Sequence, residues 1–318
     1  MIRIGCLGAA RITPKALIEP ARDTAAVTIQ AVAARDPARA RAFADAHAIP
    51  HVADSYDALI ARDDIDLVYN ALPPKLHAPW SIAALQAGKH VLCEKPFCLN
   101  ASEAVAMADA ARASGKRLIE GYHYRHHALM ARILEIVNSG ALGAIVAVNG
   151  AFKVPIRRTP EELRWRADLG GGAMMDLGCY PLHAMRTILG VEPDIVSARA
   201  RFVDGVDSAM EASLRFGAVP AKLSTAMRLG FPYAILDVRG EKASLRARNF
   251  VAPQLGNVLT YGAGAARRIE SIGGPSTFAA QLAHVAAVLQ DGAPQTPSLE
   301  DSIAQMRAID AIYAAARG

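Results

Sequence analysis

Cysteine is scarce in this 318-residue chain, and so are aromatic side chains and long apolar runs. The four cysteines, Cys6, Cys93, Cys98 and Cys179, are too scattered for a zinc knuckle and too few for a disulfide scaffold. They read as reduced thiols. Aromatic residues make up only 6%, and the formal net charge of +5 is spread along helices rather than gathered into a run. A nucleic-acid surface would need a basic patch interleaved with stacking rings, so that class is set aside. No stretch approaches the length of a transmembrane helix. No export leader is expected either, since Met1-Ile2-Arg3-Ile4 reads directly as a strand. The expectation is a cytoplasmic protein. There are no internal repeats and no long linker. What remains, 52% hydrophobic and 20% charged, is an ordinary globular composition on a chain that suits two domains.

The first part of the chain alternates strand and helix. Apolar runs occur at Ile2–Leu7, Val27–Ala34, Asp66–Leu72, His90–Cys93 and Arg117–Tyr122. Thr13-Pro14 and Asp36-Pro37 each place an N-cap before a proline at the first helical position. Asn100 with Glu103 resembles a capping box for a helix reaching Ser114. Such alternation predicts right-handed βαβ units and a doubly wound parallel sheet, the α/β Rossmann class, over residues 1–122. After Tyr122 the pattern changes. A helix from about Arg125 should end at Asn138-Ser139-Gly140. Val196, Ala198, Ala200 and Phe202 then alternate with polar residues, as do Met210, Ala212, Leu214 and Phe216, which predicts strands with one face buried. Residues 123–318 therefore read as an α+β domain with a large, mostly antiparallel open sheet. Two helices, about Ser276–Leu289 and Ser298–Ala315, close the chain, the last able to pack on the first domain.

Three constellations carry chemistry. The first is the turn after strand one, Gly8-Ala9-Ala10-Arg11-Ile12-Thr13, at the position of the dinucleotide fingerprint. Against G-x-G-x-x-G only Gly8 survives; Ala10 is small enough for backbone approach to phosphates, and Thr13 suits a cap. The second strand ends in Arg35-Asp36. An arginine at that tip suits a 2′-phosphate and an acid suits a ribose hydroxyl, which favours NADP while keeping NAD open. Arg35 takes the tip, with Arg39 near enough to assist. The second constellation is His90-Val91-Leu92-Cys93-Glu94-Lys95-Pro96, a strand ending on charges where ligands of open α/β sheets bind. A lysine held partly out of water there has reason to titrate low and join a proton transfer.

The third is Gly170-Gly171-Gly172 followed by Asp176 and Tyr180, four apart and on one face if the segment is helical. A carboxylate and a phenol projecting together suit the proton of a hydroxyl whose carbon loses hydride, provided a cation such as Lys95 helps the phenol.

Gly8-x-Ala10, Asn70-x-Leu72-Pro73 with His77, Glu94-Lys95-Pro96, Trp165-Arg166 and the Gly-Gly-Gly-x-x-x-Asp176-x-x-x-Tyr180 run together resemble the Gfo/Idh/MocA oxidoreductases, over nearly the whole chain. The resemblance implies a Rossmann domain, a second domain whose open sheet makes dimer or tetramer contacts, and catalysis by Lys95 with Tyr180 and Asp176. It implies that Gly8, Ala9, Ala10, Arg11, Ile12, Arg35, Asn70, Leu72, Pro73, His77, Glu94, Lys95, Trp165 and Arg166 serve the cofactor. Inositol dehydrogenase-like members carry histidine where this chain has Tyr180. Tyrosine is similar instead to the dihydrodiol dehydrogenases and NADP-dependent xylose dehydrogenases, so a sugar or cyclic diol is the implied substrate.

His123, His126 and His127 invite a metal reading, but no further ligand accompanies them and no metal is expected. Tyr122, Tyr124 and Arg125 either border the substrate or pack in the core. Cys93 and Cys98 flank the lysine without a histidine and read as packing residues. Two other classes compete with the oxidoreductase. A non-catalytic dinucleotide-binding regulator would need neither Lys95 nor Tyr180, and a Rossmann-like methyltransferase would need neither the Glu94-Lys95-Pro96 end nor the second domain.

Overall fold

The early apolar runs of the chain become the strands of a parallel sheet. Strands β1 (Ile2–Leu7), β2 (Val27–Ala33), β3 (His51–Val52), β4 (Leu67–Asn70), β5 (His90–Glu94) and β6 (Leu118–Gly121) lie in the order β3-β2-β1-β4-β5-β6, every pair parallel. The order reverses between β1 and β4, the crevice where open α/β sheets bind ligands. Helices α1 (Glu19–Arg22), α2 (Pro37–His47), α3 (Tyr56–Ile60), α4 (His77–Gln86) and α5 (Ala101–Ser114) connect the strands. The computed structural model describes residues 1–228 and 230–318. These form two compact units, Met1–His123 with Phe278–Ile303, and Tyr124–Thr277 with Ala304–Gly318. The core of the first unit gathers Ile4, Leu17, Val32, Tyr69 and Leu92 with Phe278, Leu282 and Val285 of the helix Thr277–Gln290. The penultimate helix thus covers this sheet. The last helix, Leu299–Arg317, gives its first residues to this unit and the remainder to the second.

Local signals account for most helix starts. The Asp36 carboxylate accepts from the Ala38 and Arg39 N–H groups. The Asn100 side chain accepts from Glu103 N at 2.9 Å, and the Glu103 carboxylate accepts from Leu99 N at 3.0 Å. Thr13 departs from expectation. A π-turn occupies Pro14–Ile18, and Ala16 N already donates to Ile12 O at 2.8 Å, so Thr13 lies inside the helical stretch at φ −54, ψ −42. Its hydroxyl makes no cap bond and is buried without a partner among the described residues. A methyl in its place removes an unsatisfied polar group at constant shape. Thr13→Val should therefore stabilise by about 1 kcal/mol, read as a rise of a few degrees in Tm. An unchanged or lower Tm would show that the hydroxyl is satisfied.

The second unit contains helices α6 (Ala128–Asn138) and α7 (Cys179–Leu189) and strands β7 (Ile145–Lys153), β8 (Asp194–Val203), β9 (Val206–Phe216), β10 (Val219–Ala226), β11 (Tyr233–Gly240), β12 (Ser244–Arg248), β13 (Val258–Gly262) and β14 (Arg268–Glu270). They form one eight-stranded sheet in the order β14-β13-β12-β11-β7-β10-β9-β8, antiparallel except for the β7–β10 pair. Helix α6 starts later than Arg125 suggested. His123–His126 form a 3-10 turn, and the His127 ring accepts from Leu129 N at 3.0 Å to cap the helix. In β9 the apolar face, Met210, Ala212, Leu214 and Phe216, is buried as its alternation predicts. In β8 it is not. Val196 is 61% exposed and Phe202 40%, and the pairing of β8 with β9 shifts register at both places, between Ile195 and Ser197 and between Arg201 and Phe202, which breaks the two-residue alternation there.

Candidate active site

The strand-end loops of the first unit meet at the reversal point. Gly8 sits at φ +91, and a side chain there would press on Leu72 Cδ2 at 3.0 Å, so glycine lets the loop after β1 lie against the loop after β4. Ala9 is buried, Ala10 half-buried, and Arg11 and Ile12 exposed. Arg35 is exposed beyond β2, while the neighbouring Asp36 carboxylate is committed to its helix cap. Arg39 donates through Nη2 to Ala9 O at 2.8 Å, bracing the glycine loop. Tyr56 completes this corner. Partial burial pushes its phenol above the ordinary value, against the pull of the Arg35 backbone N–H and of the Arg35 and Arg39 charges.

Several residues expected to line a cofactor also build the loops. Asn70 is fully buried; its amide donates to His77 O and Ser81 Oγ, both at 3.1 Å, and its oxygen accepts from Leu72 N. The buried His77 ring lies between Pro96 O, 2.9 Å from Nδ1, and Leu72 O, 2.7 Å from Nε2. It ties the loop after β4 to the loop after β5, and burial lowers its pKa to about 4. Leu72 is buried under Gly8 and Pro73 is half-buried. Glu94 is buried and accepts from the Tyr69 hydroxyl at 2.8 Å, which, after burial itself, holds that phenol well above its usual range. Lys95 follows, half-buried, between this anchored carboxylate and the His77-braced Pro96 carbonyl. Cys93 and Cys98 are buried, and burial pushes the Cys93 thiol well up, away from thiolate chemistry.

In the second unit the glycine run has a steric purpose. A Cβ on Gly171 would lie 2.6 Å from Arg164 O and 2.7 Å from Leu163 O, so glycine alone lets this segment pass under the 3-10 turn Leu163–Trp165. Gly172, at φ +144, leaves room for Asp207 and the Tyr313 hydroxyl. The Asp207 carboxylate accepts from Met174 N and from Tyr313 OH, both at 2.7 Å, and burial raises its pKa to about 6. It thereby anchors the start of a π-turn over Met174–Gly178, which leads into α7.

Asp176 lies in this wider turn and Tyr180 in the first turn of α7. The Tyr180 ring is buried edge-on against Tyr124 at 5.8 Å and Phe152 at 5.6 Å. Asp176 Oδ2 stands 2.8 Å from Arg164 Nε. Trp165 is buried, with its indole N–H on Ile156 O at 3.2 Å and the Arg228 guanidinium 5.5 Å above its ring. Arg166 is exposed and closes a two-point pair with Asp168 at 2.8 and 2.6 Å. Tyr122 and Tyr124 are fully buried, Tyr124 bonded to His183 Nδ1 at 2.6 Å. Lys95 and the loop residues thus belong to the first unit, and Asp176, Tyr180, Trp165 and Arg166 to the second.

Arg164, Glu162 and Asp207 escaped the reading of the sequence. Arg164 gave only adjacency to Trp165 as a signal, and Asp207 stands at a position of β9 whose parity matches the exposed Glu211 and Arg215.

Residues 2–122 match the family described as the oxidoreductase family with an NAD-binding Rossmann fold, and residues 130–246 match the GFO/IDH/MocA C-terminal domain. The chain is 35% identical over 316 residues to a D-xylose 1-dehydrogenase (NADP(+)) of Haloferax volcanii, covering 98% of this chain and 96% of that one. It is 39% identical over 208 residues to a dTDP-3,4-didehydro-2,6-dideoxy-alpha-D-glucose 3-reductase of Streptomyces violaceoruber, covering 65% of this chain and 60% of that one. Among solved structures, a 3-ketoreductase from Actinomadura kijaniata in complex with NADP and TDP-benzene superposes with a TM-score of 0.92 at 28% identity, over 99% of this chain and 97% of that one.

Proposed function

Because the chain belongs to the Gfo/Idh/MocA family of oxidoreductases, we propose that it is an NADP(H)-dependent oxidoreductase acting on a secondary hydroxyl or carbonyl of a sugar or cyclic diol. The observation that carries the cofactor half of this reading is the corner after β2. Asp36, the residue that would bind a ribose hydroxyl, is spent on a helix cap, whereas Arg35 is exposed and charged at the strand tip. The turn after β1, with Gly8 at positive φ and a helical stretch behind it, suits a pyrophosphate. NADP binding in the Actinomadura kijaniata ketoreductase and the NADP dependence named for the Haloferax volcanii dehydrogenase support the same choice. The nicotinamide supplies the acceptor or donor of hydride.

The chain's own residues manage the proton. Lys95, held between two anchored neighbours, binds the reacting oxygen and its charge favours loss of the Tyr180 proton. Tyr180 takes the hydroxyl proton in oxidation and returns it in reduction. Asp176 orients the substrate or the pair. Gly8, Ala9, Ala10, Arg11 and Ile12 serve the dinucleotide backbone; Asn70, Leu72, Pro73, His77 and Glu94 line the cofactor and shape the loops around Lys95; Trp165 and Arg166 serve the cofactor as well. The apolar edge of β8, with Val196 and Phe202 exposed in the single chain, supports a homodimer or homotetramer, and a cytoplasmic enzyme fits the composition.

A panel of aldoses, inositols and cyclic diols, followed by NADPH formation, tests this reading. Turnover of at least one member is expected. A blank panel with tight NADP binding would favour the non-catalytic regulator. Cofactor choice has its own check: Arg35→Ala should weaken NADP binding by roughly tenfold or more while leaving NAD binding nearly unchanged, since only the former loses a charge-assisted contact. Equal losses for both cofactors would remove Arg35 from the phosphate site.

A further inference from the structure

We infer that Arg164 is a positioning residue for the reaction, fixing the Asp176 carboxylate through an ion pair and cancelling its charge beside Tyr180. The inference rests on the proposed oxidoreductase activity and adds a residue to it. The geometry is specific. Gly171 lets the backbone of Leu163 and Arg164 lie directly on the glycine run, and this approach delivers the Arg164 guanidinium to Asp176, with Nε 2.8 Å from Oδ2. Glu162, whose side chain is nearly buried, holds the same arginine from behind. Its Oε1 accepts from the Arg164 backbone N–H and stands 3.4 Å from Nη1. Asp207 fixes the other end of the turn through Met174 N. Asp176 is therefore held at a defined point one turn before Tyr180, by a side chain that is itself clamped.

Charge supports the same role. The Asp176 carboxylate, followed by Glu162, holds the Arg164 guanidinium firmly protonated, and ionised Tyr180 would add to that effect. The influence is mutual: a cation beside the phenol favours the tyrosinate, whereas an unneutralised Asp176 carboxylate would oppose it. Removing Arg164 therefore withdraws a favourable charge and uncovers an unfavourable one. Arg166, the arginine of the Trp165-Arg166 motif, is not equivalent, because its Nε and Nη2 are both committed to Asp168.

The test compares the parent enzyme, Arg164→Ala and Arg164→Lys with a substrate that the parent turns over. In Arg164→Ala, kcat should fall by roughly ten- to a hundredfold with the NADP dissociation constant unchanged. Millimolar guanidinium, far below denaturing levels, should restore part of that kcat, while urea and sodium should not. Arg164→Lys, which keeps the charge but not the fork, should fall in between. Parental kcat in Arg164→Ala overturns the inference. So does a loss that neither guanidinium nor lysine relieves, since that is the mark of a purely structural arginine. A parent inactive on the whole panel overturns the underlying oxidoreductase reading instead, and is told apart by the absence of any activity to lose.

Discussion

Lys95→Met should lower kcat by about a thousandfold while leaving the NADP dissociation constant within about twofold of the parent. The methionine keeps the length and apolar stem of the side chain and removes its charge and donors. The rigid setting makes the experiment clean. Glu94 is anchored by Tyr69 and Pro96 O by His77, so the backbone on both sides of residue 95 is held independently of the lysine itself. The Glu94 anchor lies within the first unit, as do the Gly8 loop and Arg35. Fold and cofactor affinity therefore should survive while turnover does not. Near-parental kcat would remove Lys95 from the mechanism.

Tyr180→Phe should cost a comparable factor, about a hundred- to a thousandfold in kcat, with little change in thermal stability. The ring is buried against Tyr124 and Phe152, and phenylalanine preserves both edge-on contacts. Loss of the hydroxyl alone is then what the assay reads. If both groups act on one proton, as proposed, the losses in the double variant should fall well short of the sum of the single effects. Strict additivity would mean independent roles. A large fall in Tm for Tyr180→Phe would instead assign the hydroxyl to the core.

Where a feature depended on neighbours in sequence, it was legible in advance. The strands β1, β4 and β5 announced themselves as apolar runs, and Asp36 and Asn100 sit at helix starts where a short polar side chain precedes the first turn. Thr13 looked the same but is not a cap, because the chain enters its helical stretch one residue earlier and in π form, which periodicity does not reveal. The exposure of Val196 and Phe202 likewise goes with register shifts in the pairing of β8 with β9, a long-range fact absent from the alternation of β8 itself.

The candidate site divides along the same line. Lys95, Asp176 and Tyr180 were visible through residue type and spacing, and the chain's membership of the family held; the roles of the three residues are what the variants above test. Arg164 and Asp207 were not, since each meets its partner only because Gly171 and Gly172 allow the chain to cross another segment at close range. Asn70 and His77 were visible as candidates for the loop lining a cofactor; what the sequence did not disclose is that the Asn70 amide bonds to His77 O and Ser81 and that the His77 ring lies between two loop carbonyls, so that both residues also shape the loops.

Direct hydride transfer is tested most sharply by following deuterium placed on the carbinol carbon of a substrate drawn from the panel. The label should appear in the NADPH formed, with slowed turnover if the transfer limits the rate. Unlabelled NADPH, with the deuterium lost to water, would contradict transfer between that carbon and the nicotinamide.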